Sequence, residues 1–450
     1  MKTKRPLKFS AASDRRLNDR GDAGLRLTQS PLLSRWLAGQ EKNGETLLTN
    51  QSALNLPFQR WFKFKEAFSP QFIIDCANRL SKPPSTCLDP FGGSGTSALT
   101  AQFLGIHPTT IEVNPFLADL IEAKLSRYDP EQLRNDYFQV LASSKEIKAP
   151  LAEWLKDAPP TLVEPGVDER WVFPKAAARK ILSIRAAIDQ LPTPQNRVLL
   201  KVVLGSILVS TSNVVVNGKG RKYRCGWETR QKSAADIEAA FRGSFFEVFS
   251  DICHYAGRGM KDFTLIRGDS RTALDVAGNV DFAVLSPPYP NSFDYTDIYN
   301  VELWMLGYMQ SRADNLQLRN ATLRSHVQIL REYSKITHGS KTLERAYLRL
   351  RRVRKNLWNP HIPEMICAYF EDMRTIMTKL RGKLTAGGKV FLAVGNSKYA
   401  GVVVDTELIL KEMALGSGYD AATSEPIRSM RSSAQQGGRR ELTEALVTLA

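Results

Sequence analysis

The spacing of apolar residues predicts alternating helices and strands in the first part of the chain. Apolar positions recur at helical intervals before the break at Pro83 and Pro84, and a short apolar run then ends at Leu88. A glycine-rich turn and another helical stretch follow, and Gly105 ends that stretch before the next apolar run. Strand, turn, helix and strand in this order are typical of a β-α-β unit in a parallel sheet. The predicted elements are helices over Pro31–Ala38, 72–80 and 96–104 and strands ending at 88 and spanning 109–113.

Two long helical stretches separate the remaining parts of this sheet pattern. The first runs from 125 to 254, and the second, which is strongly basic, runs from 301 to 357. Both are too long to be structureless loops of a compact domain, so we expect substructures with functions of their own. The pattern therefore predicts an α/β fold, one Rossmann-like sheet with two helical insertions. Loop breaks are predicted at 158–166, 192–195 and 217–226, strands at 263–267, 281–285, 389–394 and 446–449, helices at 364–384 and 406–413, and a turn at 386–388.

Composition and charge restrict the classes of protein that fit the chain. The net charge of +16 over 450 residues favours a polyanionic partner, most commonly nucleic acid, although basic proteins without such a partner also occur. No apolar run is long enough for a membrane span, and the basic first residues lead into no hydrophobic stretch. We therefore expect a cytoplasmic protein without membrane contact. The five cysteines and five histidines have no zinc-type spacing, so no metal site is predicted.

The glycine-rich turn carries the first candidate chemistry. Glycines allow a tight turn and the close approach of a ligand to the N-terminus of the following helix. The next strand ends at Glu112, two residues before Asn114, and an acid at this point can accept hydrogen bonds from both ribose hydroxyls of a nucleoside cofactor. The turn itself is Asp89-Pro90-Phe91-Gly92-Gly93-Ser94-Gly95-Thr96.

A purely structural turn and a nicotinamide-binding turn are the alternatives for this segment. Its spacing, FGGSG, departs from the GxGxxG of dinucleotide-binding folds. Asp89 lies directly before the turn and suits a positively charged ligand end, such as an amino group or a sulfonium, better than a pyrophosphate. The turn therefore favours S-adenosyl-L-methionine over a nicotinamide cofactor.

The second candidate chemistry is the tetrapeptide Ser286-Pro287-Pro288-Tyr289, which follows an apolar strand at the carboxyl edge of the sheet. Its two prolines hold the loop in one extended shape, so the Pro287 carbonyl and the Ser286 oxygen become fixed acceptors beside the Tyr289 ring. The lone pair of a base amine is conjugated into the ring, and two acceptors on its hydrogens can free that lone pair for attack. A proline-rich turn that only closes the strand is the alternative.

Together the two segments resemble the DNA amino-methyltransferases, which methylate adenine N6 or cytosine N4. In that family a DPFGGSGT-type turn binds S-adenosyl-L-methionine, and a [D/N/S]PP[Y/F/W] tetrapeptide holds the amine of a base flipped out of double-stranded DNA. The resemblance extends to the segment 61–70 and to Asp269 and Ser270, and it implies a methyltransferase sheet. The implied catalytic residues are Ser286, Pro287, Pro288 and Tyr289. The implied cofactor-binding residues are Phe64, Lys65, Ser69, Asp89, Pro90, Phe91, Gly92, Gly93, Ser94, Gly95, Thr96, Glu112, Asn114, Asp269 and Ser270.

The first residue of the tetrapeptide bears on the target base. In this family serine is associated mainly with cytosine N4, whereas aspartate or asparagine is associated with adenine N6. We therefore expect cytosine N4. Adenine N6 stays the alternative, since the order of the two segments does not support cytosine: the turn precedes the tetrapeptide here, whereas the commonest cytosine-N4 arrangement has the reverse order. A carbon-5 enzyme is disfavoured because no Pro-Cys pair occurs. An RNA base methyltransferase and a catalytically silent DNA-binding subunit are further alternatives.

The resemblance also suggests a division of the chain. Named motifs cover most of 60–125, 260–305 and 365–450, and the two helical stretches lie between them. The predicted segments are a basic N-terminal arm or cap (1–55), the cofactor-binding half of the core (56–128), a helical insertion and candidate DNA-recognition region (129–258), the catalytic part of the core (259–300), a basic helical insertion and candidate DNA contact (301–362) and the C-terminal part of the core (363–450).

Basic clusters in the two insertions are the candidates for DNA contact. We expect specificity to come from the insertions, because the chain ends soon after the last predicted strand. The resemblance implies a restriction-modification or phage-defence setting, with a partner nuclease or other defence-system subunits. The predicted DNA-binding residues are Lys219, Arg221, Lys222, Arg224, Arg351, Arg352, Arg354 and Lys355. Residues expected to add charge to the same face are Arg428, Arg431, Arg439 and Arg440.

Overall fold

The computed structural model describes most of the chain. Large parts of the predicted arm (1–55), together with Lys65, Lys219 and Arg439, lie outside the described residues. The described residues are 30–38, 53–64, 67–217, 220–291, 293–329, 331, 333, 339–431 and 440–450.

The described elements follow the predicted alternation around a central sheet. The strands are β1 (Thr86–Asp89), β2 (His107–Glu112), β3 (Val214–Asn217), β4 (Gly220–Tyr223), β5 (Thr264–Arg267), β6 (Val280–Leu285), β7 (Leu384–Gly395), β8 (Ser397–Tyr399), β9 (Val402–Val404), β10 (Ala422–Arg431) and β11 (Arg440–Leu449). The helices are α1 (Pro31–Ala38), α2 (Pro70–Asn78), α3 (Thr96–Phe103), α4 (Pro115–Leu125), α5 (Pro130–Glu146), α6 (Leu151–Trp154), α7 (Lys175–Asp189), α8 (Pro194–Leu208), α9 (Ala234–His254), α10 (Ser270–Ala273), α11 (Tyr295–Ile298), α12 (Asn300–Met305), α13 (Arg312–Ala321), α14 (Lys341–Arg352), α15 (Ile362–Lys383) and α16 (Thr406–Gly416).

Seven strands form one mixed sheet in the order β10-β11-β7-β6-β1-β2-β5. Neighbouring strands from β5 to β7 are parallel, whereas β11 is antiparallel to both β7 and β10. The chain builds outward from β1 to β2 and β5, and it then returns to β6 on the other side of β1. The carboxyl ends of β1 and β6 therefore border the crevice in which doubly wound sheets bind ligands. This topology confirms the predicted α/β, Rossmann-like fold.

The central strands are buried on both faces, and their side chains alternate between two layers of helices. On β6, Phe282 and Val284 pack in one cluster with residues of α2 and α3. Ala283 and Leu285 point to the other face, where they join residues of α15 and α16. Burial of both faces explains why residues 282–285 of β6 form a continuous apolar run in the sequence.

Several helices begin where the sequence carries a capping signal. Ser69, Asn114 and Asp129 each accept a hydrogen bond from a backbone N–H of the first turn, and each precedes a proline at the first helical position. The Asn114 cap fixes a loop beside the sheet edge, because α4 follows β2 directly.

The two stretches between the parts of the sheet are mainly helical, as predicted. Helices α5 and α7 to α9 pack together, and α8 packs on α4, so these helices share one core with that side of the sheet. Helix α14 of the second stretch packs on α15 and α16 instead. Within the described ranges, no helix combines the length and the apolarity that a membrane crossing requires.

Two predictions of local structure were wrong, and one strand was not predicted. The predicted loop break at 217–226 is largely a hairpin of β3 and β4, because three consecutive β-branched valines favour a strand before it. The predicted turn at 386–388 lies inside β7, where Gly387 adopts a φ of +79° and a register shift against β6 absorbs the extra residues. Strand β10 was not predicted, because as an edge strand it carries mostly polar residues.

Candidate active site

A cavity of about 420 Å³ opens at the carboxyl ends of β1, β2 and β6. Both segments that the sequence singled out border it. Of the implied catalytic and cofactor-binding residues, those that line it are Phe64, Asp89, Pro90, Phe91, Gly92, Gly93, Ser94, Thr96, Glu112, Asn114, Asp269, Ser270, Ser286, Pro287, Pro288 and Tyr289.

The glycine-rich turn depends on the absence of side chains. A Cβ at Gly92 would lie 2.3 Å from Thr110 Cγ2 on β2, so the close approach of the turn to that strand excludes any other residue. Gly93 adopts a φ of +52°, which L-residues rarely adopt. Its N–H donates to Glu112 Oε2 at 2.7 Å, which ties the turn to the tip of the next strand.

The two acids beside the glycine-rich turn, Asp89 and Glu112, are both buried. Glu112 Oε1 also accepts from the Asn114 N–H at 2.8 Å, and burial raises the pKa of Glu112 to about 7. Asp89 accepts from the Phe91 N–H at 2.9 Å and from the Ser97 hydroxyl, and burial raises its pKa to about 6. Each carboxyl group is therefore held in one orientation, in a setting where further hydrogen-bond donors would favour its charged form.

A buried lysine that the sequence analysis missed supports the turn from behind. Lys124 on α4 is 0% exposed. Its Nζ donates to the Ser94 carbonyl at 2.6 Å and to Gln59 Oε1 at 3.3 Å. Gln59 Oε1 accepts from the Thr96 hydroxyl as well, at 3.2 Å. Burial lowers the pKa of Lys124 to about 7. Lysines are almost never fully buried, so no sequence signal marked this one.

The tetrapeptide is held by the C-terminal strands of the sheet. The Tyr289 hydroxyl donates to Glu444 Oε1 on β11 at 2.5 Å, and Glu444 Oε2 accepts from Arg428 Nε on β10. Burial and the adjacent Glu444 carboxylate raise the pKa of Tyr289. Arg428 and Glu444 both line the cavity. Strand pairing turns the Arg428 side chain toward Glu444, and its expected contribution to a DNA-binding face stays a prediction.

Asp269 lies at the edge of the cavity, beside β5. Both of its oxygens accept from the Arg271 guanidinium, at 2.6 to 3.0 Å. Arg271 also pairs with Asp372 on α15 at 3.2 Å. The neighbouring Ser270 hydroxyl donates to the Pro90 carbonyl, which links the start of α10 to the glycine-rich turn. Asp269 can therefore meet a ligand only with the lone pairs that Arg271 leaves open.

Aromatic residues form an apolar wall of the cavity. The rings of Phe64 and Tyr299 stack with centroids 5.9 Å apart and planes 7° from parallel. The Phe64 ring lies 3.1 Å from the point that a Cβ at Gly93 would occupy, so it covers the turn closely. Phe293 and Tyr295, which follow the tetrapeptide, pack edge to face beside it. Such a wall suits the burial of a planar ring system.

Part of the second insertion also reaches the cavity, although the sequence analysis treated this insertion only as a DNA contact. The contributing residues come from the end of α13 and the loop after it. His326 is one of them and is 2% exposed, and burial lowers its pKa to about 4. Ion pairs hold this loop, because Arg324 pairs with Asp372 at 2.7 Å. The residues involved are Leu318, Ala321, Thr322, Leu323, Ser325 and His326.

Two implied cofactor-binding residues within the described ranges do not line the cavity. Ser69 is buried and caps α2, where its hydroxyl accepts from the Phe72 N–H at 3.3 Å. Gly95 adopts a φ of +79° and packs against Ile121. Both shape the surroundings of the cavity without bordering it.

None of the predicted DNA-binding residues that the structure describes lines the cavity. On the hairpin, Arg221 pairs with Asp297 at 3.6 Å, and Lys222 is exposed. Arg224 points inward and donates to the Val209 carbonyl at 2.8 Å. On and after α14, the exposed residues are Arg351, Arg352 and Lys355. Arg354 pairs with Glu364 instead.

Comparisons with known proteins agree with the resemblance. No family model matches the chain. The chain is 25% identical to the type II methyltransferase M.AvaI of Nostoc sp., over 90% of this chain and 89% of that protein. It is 23% identical to the type II methyltransferase M.BsoBI of Geobacillus stearothermophilus, over 87% and 85%. The solved rRNA methyltransferase aviRa from Streptomyces viridochromogenes is 9% identical over 84% of this chain and 83% of its own, at a TM-score of 0.28, which is too low to support an argument. The two relatives confirm the resemblance to DNA amino-methyltransferases: the chain is a homologue of type II methyltransferases over most of its length.

Proposed function

We propose that this chain is a site-specific DNA methyltransferase. It transfers a methyl group from S-adenosyl-L-methionine to the exocyclic amine of a base flipped out of the duplex, with cytosine N4 as the favoured target. One observation carries the proposal: a single cavity is bordered by the glycine-rich turn with Glu112 and by the tetrapeptide that begins at Ser286. A cofactor and a base can therefore meet in one enclosed space.

The residues of the cavity fit S-adenosyl-L-methionine. A volume of about 420 Å³ lies in the range of small-molecule sites. Glu112 accepts two backbone N–H groups, which leaves lone pairs of the same carboxylate for ribose hydroxyls. Asp89 offers negative charge to the amino end of the ligand. When bound, the cofactor supplies a methyl group on a positively charged sulfur, which is the electrophile of the reaction.

The tetrapeptide prepares the nucleophile. The Ser286 oxygen and the Pro287 carbonyl accept the two hydrogens of the target amine, which draws its nitrogen toward tetrahedral geometry. The Tyr289 ring stacks on the flipped base, and the wall formed by Phe64 and Tyr299 keeps water from the site. Catalysis in this scheme is positioning and electrostatics.

Double-stranded DNA is the proposed substrate, and the setting is restriction-modification or phage defence. The type II relatives and the net charge of +16 support a DNA substrate. Cytosine N4 is favoured because serine begins the tetrapeptide. Adenine N6 is the second candidate, because the turn precedes the tetrapeptide in this chain.

Mass spectrometry of nucleosides tests the proposal. A mixed-sequence duplex is incubated with the protein and S-adenosyl-L-methionine, with S-adenosylhomocysteine replacing the methyl donor in the control, and is then digested. We expect N4-methylcytosine in the complete reaction and none in the control. Detection of N6-methyladenine would support the proposed enzyme class and contradict cytosine N4 as the target. Unmodified DNA together with methylated RNA would overturn the substrate, and no modification of either would favour a silent DNA-binding subunit.

A further inference from the structure

We propose that Arg428, Glu444 and Tyr289 form a positioning chain that fixes the Ser286 hydroxyl as a hydrogen-bond acceptor toward the target amine. The inference deepens the proposed function and rests on it. It assigns a role to two residues of the C-terminal strands that no motif marks.

Two hydrogen bonds define the observed part of this positioning chain. Glu444 is 5% exposed, receives the Arg428 Nε donor on one oxygen and receives the Tyr289 hydroxyl on the other, at 2.5 Å. Ser286 begins the same tetrapeptide three residues before Tyr289, and the proposed last link is a hydrogen bond from its hydroxyl to the Tyr289 oxygen. All four residues line the cavity.

Arg428, at the far end of the positioning chain, sets the direction of every hydrogen bond in it. A guanidinium can only donate, and an ionised carboxylate can only accept, so Arg428 holds Glu444 as an acceptor. Tyr289 must therefore donate its single hydrogen to Glu444, and its oxygen keeps only lone pairs. Ser286 can then satisfy the Tyr289 oxygen only by donating. The Ser286 oxygen is left with lone pairs alone for any further partner.

This fixed polarity answers a chemical difficulty of the serine. The amine of cytosine or adenine presents only hydrogens to its surroundings, because its lone pair is conjugated into the ring. Aspartate at the same position has no hydrogen when ionised and is always an acceptor. A serine hydroxyl rotates freely, and in some of its orientations it would turn its own hydrogen toward the amine. A fixed acceptor for that hydrogen removes the unproductive orientations before the base arrives.

A purely structural role is the competing explanation. Arg428 and Glu444 face each other directly in the β10–β11 ladder, so their ion pair also stabilises the edge of the sheet. A structural pair would affect the stability of the fold without regard to the residue at position 286. The positioning chain requires that its effect pass through the serine.

A double-mutant cycle separates the two explanations. Tyr289→Phe keeps the stacking ring and removes the hydroxyl, and Glu444→Gln permits the reverse polarity because its amide can donate. On a duplex whose methylated base has been mapped, we expect each change to lower the single-turnover rate by roughly 10- to 100-fold, with unchanged cofactor affinity. The two changes together should lower it no further than one alone. Tyr419→Phe, which removes a hydroxyl buried against the Met377 carbonyl outside the cavity, is the matched control.

Tyr289→Phe is then combined with Ser286→Asp, because an ionised aspartate accepts in every orientation. Relative to Ser286→Asp alone, adding Tyr289→Phe should change the rate less than threefold. An equal loss in the serine and aspartate backgrounds would overturn the inference, as would full activity of Tyr289→Phe. If wild-type protein methylates no DNA base, the proposed function itself fails, which is a distinct outcome.

Binding without methyl transfer provides an independent measurement. In the absence of cofactor, the affinity for the mapped duplex is compared with that for a duplex whose target base lacks the exocyclic amine, such as 2-pyrimidinone in place of cytosine. Weaker pairing of the modified base eases flipping equally for every variant, so the preference for the amine is taken relative to Ser286→Ala. Tyr289→Phe should lose most of this preference, whereas Tyr419→Phe should keep it. A preference that Tyr289→Phe leaves intact would overturn the inference even if all variants at Ser286 were inactive.

Discussion

At the scale of single residues, Asp89 and Glu112 place two buried carboxyl groups beside the glycine-rich turn. Both are buried acids held by backbone or hydroxyl donors, and burial raises the pKa of both, to about 6 and about 7. A ligand that brings hydrogen-bond donors to these carboxylates favours their charged forms. Binding of such a ligand must therefore depend on pH near neutrality.

Cofactor affinity should fall as the pH falls through about 7. Hydroxyls of the ribose donate to the ionised form of Glu112, so affinity is complete above its pKa and decreases by up to about tenfold for each pH unit below it. Calorimetric titration with S-adenosylhomocysteine between pH 6 and 8.5 measures this effect. Glu112→Gln should bind more weakly at pH 8 and show a flatter pH profile. An affinity that does not change with pH in the wild type would contradict this role of Glu112.

Removal of the Ser286 hydroxyl should affect methyl transfer alone. In Ser286→Ala one of the two acceptors for the amine is lost, and we expect a decrease in the methylation rate of roughly 100-fold or more. Cofactor affinity should stay nearly unchanged, because the glycine-rich turn and Glu112 are intact. Ser250→Ala on α9, outside the cavity, is the matched control. Parallel loss of cofactor binding and rate would assign Ser286 a structural role only.

At the scale of elements, the loop between β1 and α3 owes its shape to two neighbouring elements. Strand β2 closes on Gly92 from one side, and Lys124 of α4 donates to the Ser94 carbonyl from the other. These two contacts hold the turn in one conformation at the sheet edge. Preformed geometry of this kind reduces the entropy that ligand binding would otherwise lose.

Lys124→Met should alter the pH dependence of folding stability. The pKa of Lys124 is lowered to about 7 in the folded protein, whereas an unfolded lysine titrates near roughly 10.4. Between these values the unfolded chain binds a proton that the folded chain does not, so the stability that Lys124 contributes rises with pH. The free energy of unfolding of wild type minus variant should rise by up to about 1.4 kcal/mol per pH unit from pH 7 to 10. Urea denaturation at several pH values measures it, and a constant difference would show that the buried amine stays charged.

At the scale of the whole molecule, positive charge is distributed over parts that pack on different sides. The hairpin of β3 and β4 packs on α11, which follows the tetrapeptide, whereas α14 packs on α15 and α16. Arg221 links the hairpin to Asp297 of α11. The hairpin is therefore a basic segment that contacts the helix after the tetrapeptide, as does α13, whose Arg319 pairs with Asp294 at 3.0 Å.

Lys222→Ala should weaken DNA binding in a salt-dependent manner. Lys222 is exposed on β4, and loss of one phosphate contact should reduce the slope of log affinity against log salt by about 0.9. Fluorescence anisotropy with a labelled duplex measures this slope. Salt concentrations of roughly 50 to 200 mM are suitable, because the effect of counterion release is large in this range. Lys82→Ala is the control, because Lys82 is exposed before β1 at the opposite edge of the sheet. Equal slopes in wild type and Lys222→Ala would remove Lys222 from the contact surface, and the same assay on Arg351→Ala with Arg352→Ala tests α14.

Much of the fold and of the candidate site could be predicted because it depends on local signals. Asn114 caps α4 through its own side chain, and the glycines of the turn act through the backbone angles of a few residues. The apolar run of β6 delivers Ser286 to the sheet edge by its burial on both faces. Each of these signals lies within about ten residues of sequence, so it can be recognised without knowledge of the rest of the chain.

The partners of these residues were decided by tertiary structure. Glu444 meets Tyr289 across 155 positions of sequence, and only the insertion of β11 between β7 and β10 brings them together. In the sequence, Arg428 resembles a charged surface residue, and Lys124 resembles a residue on the exposed face of a helix. The sequence by itself determined where the turn and the tetrapeptide lie and which chemistry they offer. Strand register and the burial of the whole core determined which distant polar groups face them, because pairing across a sheet depends on every strand between.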